Sequence, residues 1–474
     1  MFNAKQLIQL LDEALAGWKT YVKSIPMLKA GVKVLEKINK KGFKAYIVGG
    51  TVRDLVLGLD AHDVDIATNM PMDAIKKSFK TYELGKSSDY GIVVVKEGGF
   101  AFELAQFRSD GSYTDGRRPD TVEIKGSFKD DAERRDFTIN AMGIDKDGNI
   151  LDYFNGRKDI KNKLLRTVGD PKKRFGDDKL RMMRAARFAT KLDMKIDKGT
   201  RSVARKLAKD ITKLSMERIR DELFKSAEMG SKKFAQYLRT LDDLKILQVI
   251  LPEITALKYK PHTKQHHPEA PDVFGHVIKA LEATDTKDPV QQLAILMHDV
   301  GKLVTQDIGK SSAHHTYYGH AEKGIELVDT IARRLKLKNK DREAILFAVG
   351  NHMRFHEIIG MRPSKVAKLV NSDNWEVLKI VAFADRAVRS RSESTDKEYE
   401  AILAKAIEIK DKYGINKVSK VSTLASGKRI IELTGLKPGK EIGRIKKATI
   451  DWIINNDIDN QKEVDDYILS QVKK

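Results

Sequence analysis

Asp63-Val64-Asp65, a short way after Gly49-Gly50, constrains this chain more than any other feature. In Tyr46-Ile47-Val48-Gly49-Gly50-Thr51-Val52-Arg53-Asp54 the apolar run reads as a short buried strand. The two glycines let the backbone turn sharply and approach a phosphate, and a helix is expected from near Thr51. The interval from Gly50 to Asp63 holds that helix and a return strand. Residues two apart on a strand face the same way, so Asp63 and Asp65 present paired carboxylates while Val64 and Ile66 point into a core. Paired carboxylates repel unless a cation sits between them. Two on one rigid strand suit a magnesium pair engaged with a nucleoside triphosphate. A bare Asp-x-Asp fits a solvated turn equally well; the double glycine before it makes the pattern specific.

The following segments sharpen this reading. Gly91 to Lys96 and Phe100 to Phe107 are β-branched and aromatic runs joined through Gly98-Gly99, a hairpin signal. Glu103 is a charge inside the second run, costly without a partner and either an edge-strand residue or a third carboxylate at the metals. Arg108 to Asp120 reads as a mobile loop beside the site. In Glu133-Arg134-Arg135-Asp136-Phe137-Thr138-Ile139-Asn140-Ala141, two arginines are able to grip a triphosphate or lie solvated at the surface. Farther on, Met182, Ala185, Ala186 and Ala189 share one helix face, with Arg181, Arg184 and Arg187 along the other. Asp177 and Asp178 lie four and three residues before Arg181, so acid and base can meet.

Taken together, residues 26 to 190 resemble the head and neck of class II tRNA nucleotidyltransferases, the CCA-adding enzymes, which share this core with bacterial poly(A) polymerases and, more distantly, with DNA polymerase beta. Four motifs match in order: the double-glycine Asp-x-Asp, the strand glutamate, RRDFTxNA and an acid-Asp-x-x-Arg helix. The resemblance implies catalysis by Asp63, Asp65 and Glu103, with Asp63 and Asp65 bridging two magnesium ions. It implies that an RNA 3′-hydroxyl attacks the α-phosphorus of CTP or ATP and expels pyrophosphate. It also implies that Asp178 and Arg181 read the incoming base without a template, a carboxylate accepting from the exocyclic amine of C or A while a guanidinium donates. Gly50, Arg53, Arg135, Asp136, Arg184 and Arg187 would surround the nucleotide. Asp177 stands where the family often has Glu, which keeps the charge on a shorter arm.

A second constellation follows the proline-containing stretch Leu251 to Pro271, which reads as a boundary. Ten of the eleven histidines fall between His262 and His356. Leu293 to Met297 is an apolar helical run ending in His298-Asp299, a pair expensive to bury unless it binds something. With His276, His320, His352 and Asp385 the set suits a divalent transition metal of unknown identity. It resembles the HD phosphohydrolase domain, with His276, His298, Asp299 and Asp385 for one metal and His320 and His352 where two-metal members hold a second. That resemblance implies phosphate-ester hydrolysis. His262, His266, His267, His314, His315 and His356 read as surface or loop residues.

Lys plus Arg number 88 against 67 for Asp plus Glu, a net charge of +21. Such a chain commonly meets a polyanion, although a lysine-rich proteome gives the same balance. With no cysteine, disulfides, thiolate metal sites and cysteine nucleophiles are excluded. No apolar run is long enough to span a bilayer and Met1 to Gln9 lacks a signal-peptide pattern, so a cytoplasmic protein without a membrane partner is expected. Ala4 to Ala16 forms a plausible amphipathic helix. Near the other end, Pro438-Gly439 before a helical run is either an ordinary helix start or a site for an RNA phosphate, and that segment resembles the family's tRNA-holding tail.

The expected architecture is α+β and multidomain: a helical extension (1–25), a polymerase-beta-like nucleotidyltransferase head of mixed sheet and helices (26–155), then an all-α neck and body (156–260), HD domain (261–410) and tail (411–474). The expected function is addition or repair of the 3′-terminal CCA of tRNA, with tRNA, CTP and ATP as partners and an HD phosphohydrolase attached. The alternatives are a poly(A) polymerase, a CC-only or A-only enzyme, or an RNA-binding HD hydrolase with an inactive transferase site. The oligomeric state is open.

Overall fold

A computed structural model describes residues 18–60, 63–83, 91–110, 122–124, 126–261, 272–305, 307–308, 315–388, 393–414 and 421–472. The chain forms two compact units, Met1–Ser226 with Gln236–Ile250, and Ala227–Ala235 with Leu251–Lys474.

The first unit opens with helices α1 (Trp18–Ser24) and α2 (Pro26–Lys40). Proline at the start of α2 removes only an amide that the helix leaves unpaired. Next come β1 (Ala45–Val48), α3 (Gly50–Val56), β2 (Asp65–Thr68), β3 (Thr81–Tyr82), β4 (Ile92–Glu97) and β5 (Phe100–Gln106). With β6 (Arg108–Asp110), β7 (Val122–Ile124), β8 (Gly143–Ile144) and β9 (Ile150–Leu151), the strands build a seven-stranded sheet ordered β3-β4-β5-β2-β1-β8-β9 and a separate β6-β7 ribbon. The sheet is mixed: β2 runs parallel to β5 and antiparallel to β1. Gly98 and Gly99, both at positive φ, turn the β4-β5 hairpin.

Ile47, Val64, Ile66, Val93, Val95, Phe102 and Leu104 pack with Leu28, Leu35 and Ile38 of α2 in one core. Each fully buried side chain of this kind contributes about 1.5–3 kcal/mol. A Cβ on Gly31 would sit 3.0 Å from Val64, so α2 lies close beneath the chain that presents Asp63 and Asp65. The helices α4 (Phe128–Glu133), α5 (Pro171–Asp177), α6 (Leu180–Lys191) and α7 (Met216–Ala227) complete the parts that bear on function. Ala185, Phe188 and Ala189 of α6 join the same core as the sheet, which fixes the arginine face of that helix against the head.

The second unit is helical except for a two-stranded ribbon, Asp307–Ile308 paired antiparallel with His315–Thr316, where the expectation was all-α. Its α8 (Val273–Glu282) and α9 (Pro289–Met297) are capped by Asp272 and Asp288, whose side chains accept from Gly275 and Val290 amides. Leu293 to Met297 are all buried. Then follow α10 (His320–Arg334), α11 (Asn339–His356), α12 (Trp375–Ala387), α13 (Glu393–Tyr413), α14 (Gly427–Thr434), α15 (Lys440–Asn456) and α16 (Gln461–Val472). Gly439 precedes α15, as the Pro438-Gly439 pattern suggests.

Two local expectations change, and the expected boundary from Leu251 gains a short helix. Arg108–Asp110 is not loop but pairs with Val122–Ile124, because a short polar strand is satisfied by a ladder partner; residues 111–121, with Arg117 and Arg118, lie outside the described residues. Within the proline-containing stretch, Pro252 begins the helix Pro252–Ala256 at its first position, where proline is tolerated. Trp18 and Val22 are buried in the head core, and the Trp18 indole donates to the Lys146 carbonyl, so this part of the N-terminal segment belongs to the head; Ala4 to Ala16 lies outside the described residues. Among the described residues no helix is long and apolar enough to cross a membrane.

Candidate active sites

In the head, Gly49 has φ 73°, and a Cβ there would lie 3.1 Å from the Arg135 guanidinium and 3.9 Å from the Asp65 carboxylate. Glycine is required by both conformation and space, and it lets β1 and α3 bring Arg135 beside Asp65. Asp63 does not share the strand with Asp65 as expected but stands two residues before β2, anchored by the Thr51 hydroxyl donating to its carbonyl at 2.5 Å. Glu103 lies on the neighbouring strand, where Ile66 is paired with Leu104. Burial, then the charges of Asp63 and Glu103, push the Asp65 carboxyl up to about 6, against the opposing pull of Arg135. The negative charge gathered around Asp65 is of the kind that a divalent cation would neutralise.

The arginines are held from behind. Asp131 on α4 is fully buried and bonds Arg134 at 2.7 Å and Arg135 at 2.9 Å. Burial works to raise its carboxyl, but the two guanidiniums outweigh burial and hold it low. Asp136 is also buried: it accepts from the Phe137 amide, Asn140 and Arg184, the last at 2.6 Å. Burial opposes its charge, yet Arg184, Asn140 and Arg181 bring it down to about 2. Arg53 donates to Asn140 at 2.8 Å. Arg53, Arg184 and Arg187 all lie over the Phe188 ring, at 5.2, 5.2 and 4.7 Å. Each of the three guanidiniums around this ring is also held by a carboxylate, Arg53 by Asp54 at 2.7 Å, Arg184 by Asp136 and Arg187 by Glu222, both at 2.6 Å.

At the start of α6 one of the two acid–base contacts that spacing offers to Arg181 forms, and the other does not. Arg181 approaches Asp177 at 3.7 Å and donates to the Arg134 and Arg174 carbonyls. Asp178 instead accepts from Arg218 of α7, at 3.0 and 2.9 Å, because the turn after α5 directs its side chain toward that helix. Arg187 pairs with buried Glu222 of α7 at 2.6 Å.

In the second unit, His276, His298, Asp299, His320, His352 and Asp385 are all buried and converge. His276 lies 3.1 Å from Asp385 and 3.3 Å from His298. Asp299 lies 3.3 Å from both His298 and His320, and His320 and His352 face each other at 3.1 Å. His298, His320 and His352 each present Nδ1 to the carbonyl three residues earlier, Ile295, Tyr317 and Val349, at 2.7–2.8 Å. An Nδ1 facing a carbonyl donates, which leaves the Nε2 lone pairs pointing inward at one another. Burial, reinforced by neighbouring His298 and His320, pushes His352 down to about 3 and keeps it neutral. Burial opposes a proton on His298, but Asp299 and Asp385 move it up to about 10, so in the metal-free cluster its Nε2 carries a proton that a bound divalent cation would displace. Two ligand groups share Asp299: with His276 and His298, and with His320 and His352.

The pair is set by close backbone packing. A Cβ on Gly301 would fall 1.9 Å from the His320 carbonyl and 2.7 Å from the Gly324 nitrogen, so only glycine after His298-Asp299 lets α10 bring His320 against Asp299.

Residues 45–166 match the poly A polymerase head domain, 193–258 the probable RNA and SrmB-binding site of polymerase A, and 273–389 the HD domain. The CCA-adding enzyme of Ligilactobacillus salivarius (strain UCC118) is 32% identical over 448 residues, 94% of this chain and 96% of that one. The chain belongs to the CCA-adding enzymes. It is a nucleotidyltransferase whose chain includes an HD domain, and both kinds of site use divalent metals. Among solved structures, the Bacillus stearothermophilus CCA-adding enzyme in complex with CTP shares the fold at TM-score 0.66 and 23% identity, covering 95% of this chain and 98% of that one. The Thermotoga maritima CCA-adding enzyme complexed with tRNA shares it at TM-score 0.56 and 18% identity, covering 94% and 95%.

Several residues of this CCA-adding enzyme escape sequence reading. Asp131 carried a signal, since it lies three and four residues before the paired arginines on one helix. Arg218 and Glu222 carried none, being 40 and 35 residues from their partners. His356, expected at the surface, has Nε2 3.6 Å from the Asp385 carboxylate, because one helical turn after His352 returns to the same face. Lys302, buried, bonds Asp299 at 2.7 Å. Residues 262–271 and 309–314, with His262, His266, His267 and His314, lie outside the described residues, and so does the His315 side chain.

Proposed function

We propose that this protein builds and repairs the 3′-terminal CCA of tRNA, taking CTP and ATP as substrates and releasing pyrophosphate, and that its HD domain hydrolyses phosphate esters. The observation that carries this reading is the meeting at Gly49 of Arg135 with Asp65, whose carboxyl is raised to about 6 by burial and by Asp63 and Glu103. The likeness to a CCA-adding enzyme over 94% of the chain, tail included, favours this output over general A-tailing. With both bases selected by Asp178 and Arg181, no nucleic-acid template is required. The work is cytoplasmic on this reading.

Asp63 and Asp65 would hold magnesium, which when bound would neutralise charge on the triphosphate and acidify an attacking hydroxyl. Glu103 stands on the hydroxyl side. Arg135, oriented by Asp131, and Arg184, oriented by Asp136, grip the triphosphate. Arg53 and Arg187 add charge from the other sides of Phe188, and Gly50 lets the phosphates approach the start of α3. In the second unit, His276, His298 and Asp299, with Asp385 beside His276, would hold one divalent ion, and His320 and His352 a second with Asp299. The division of labour is a head over 26–155, neck and body over 156–260, HD domain over 261–410 and a tRNA-holding tail over 411–474.

The test is incubation with magnesium and a tRNA transcript lacking CCA, given CTP alone, ATP alone and both, followed by sequencing of the 3′ ends. Ordered C, C, A and then arrest is expected. A growing A tail, or arrest after CC, refutes CCA addition while retaining the chemistry, and no incorporation refutes the transferase reading.

A further inference from the structure

The helix α7 meets the proposed base-reading helix at two points of opposite polarity. Arg218 and Glu222 lie four residues apart and therefore on one face of α7. Arg218 donates to Asp178, and Glu222 accepts from Arg187. Asp178 and Arg187 stand on either side of α6's first two turns, so the helix is gripped ahead of its start and again further along.

A carboxylate offers about four acceptor positions. At Asp178, Oδ1 receives the Leu180 amide at 3.0 Å and Arg218 at 3.0 Å, while Oδ2 receives the same Arg218 nitrogen at 2.9 Å. Three positions are filled by fixed donors, two of them from one guanidinium nitrogen that bridges both oxygens. The carboxylate cannot rotate without losing these bonds, and its remaining acceptor direction lies on Oδ2.

We propose that Arg218 is a specificity-determining positioning residue, which pins the Asp178 carboxylate so that a single acceptor direction is left for the incoming base. This rests on the nucleotide-adding function proposed above. C and A place an exocyclic amine donor at the edge in question, whereas U and G place a carbonyl there. An acceptor in one fixed direction takes the amine and repels the carbonyl. A carboxylate free to rotate also reaches the ring N–H of U or G, so loosening Asp178 admits the wrong bases instead of weakening all four alike.

The experiment uses the full chain and a tRNA transcript lacking CCA, and compares kcat/KM for CTP and UTP in wild type, Arg218→Gln and Arg218→Lys. ATP and GTP are compared on the transcript ending in CC. Arg218→Gln is expected to lower the C-over-U and A-over-G ratios at least about tenfold. Arg218→Lys, which keeps a cationic donor, restores most of the selectivity. Adding Arg218→Gln to Asp178→Ala is expected to change the ratio no further. Unchanged ratios in Arg218→Gln, or an equal fall for every nucleotide, overturn the inference. Should the Gln variant not fold, Arg218→Lys decides it: a small fall in the C-over-U ratio is the expected result, because an ammonium holds the carboxylate less rigidly than a guanidinium, and a ratio identical to wild type overturns the inference. A wild type that adds no C overturns the proposed function itself, whereas a wild type that selects C beside an equally selective variant overturns only the role of Arg218.

Discussion

Two glycines that face each other in the second unit should differ sharply in their tolerance of a methyl group. In Gly301→Ala the new carbon would sit 1.9 Å from the His320 carbonyl and 2.7 Å from the Gly324 nitrogen, whereas in Gly324→Ala it would meet Gly301 at 3.3 Å and Val349 at 3.5 Å. An ordinary contact of this kind is about 3.4 Å, so the first variant must part the chains by more than about 1 Å and the second by about a tenth of that. Overpacking of a tight interior costs about 1–3 kcal/mol or more, and Gly301→Ala belongs at or above the top of that range. The displacement falls on His320, 3.3 Å from Asp299, while metal–ligand distances tolerate about 0.2 Å. Gly301→Ala is therefore expected to lower the melting midpoint of the second unit by several degrees and to bind less manganese at equilibrium, with nucleotide addition kept. Gly324→Ala should remain near wild type in both. Thermal unfolding read beside metal content after dialysis separates the two variants. Equal behaviour would refute the argument that this approach builds the site.

Other expectations follow from single contacts. Asp63→Ala should abolish nucleotide addition and leave phosphate-ester hydrolysis, and Asp299→Ala the reverse; loss of both activities in either variant would sink the two-site reading. The fall of the Asp136 carboxyl from 3.8 to about 2 corresponds to about 2 kcal/mol at neutral pH. Because that value is depressed on folding, the stability is present above about pH 4 and is lost as pH falls toward 2. Asp136→Asn should therefore be less stable to urea at pH 7, with the gap to wild type narrowing below pH 4; a gap that stays constant contradicts the assignment. Asp131→Asn should raise the KM for CTP about tenfold, from the loss of charge-assisted bonds to Arg134 and Arg135, and a steady-state titration with an unchanged KM would count against it. His356→Gln should reduce hydrolysis about tenfold or more without changing nucleotide addition, a difference visible by assaying both activities on one preparation.

Much of the head was legible because its signals are local. A double glycine, alternating apolar residues around Asp63 and Asp65, and a glycine-linked hairpin carrying Glu103 each describe only a few residues, and β1, β2, β4 and β5 follow them. The buried His-Asp pair was legible for another reason: polar residues closing an apolar helix demand compensation, and His276, His298, Asp299, His320, His352 and Asp385 do converge. What escaped was partnership over distance. Helical spacing offered Asp178 to Arg181, but a three-residue interval permits contact without choosing it, and Arg218 on another helix wins because it reaches both carboxylate oxygens. The β6-β7 ribbon was missed since three polar residues carry no alternation strong enough to announce a strand. His356 was missed because it stands outside the ordered histidine pattern, although its spacing from His352 returns it to the same helix face.

The orientation of His298, His320 and His352 comes from carbonyls of their own backbone, each three residues back. In many metal centres a carboxylate or amide side chain does this work and must persist for the ligand to stay aimed. Here the aiming group is a peptide bond, which every amino acid supplies. Ile295, Tyr317 and Val349 can thus be exchanged through evolution without the imidazoles losing their bearing, so long as the helices survive. The geometry of the buried His-Asp cluster is in this way uncoupled from the chemical identity of the side chains behind it, which are at liberty to change while the cluster keeps its form.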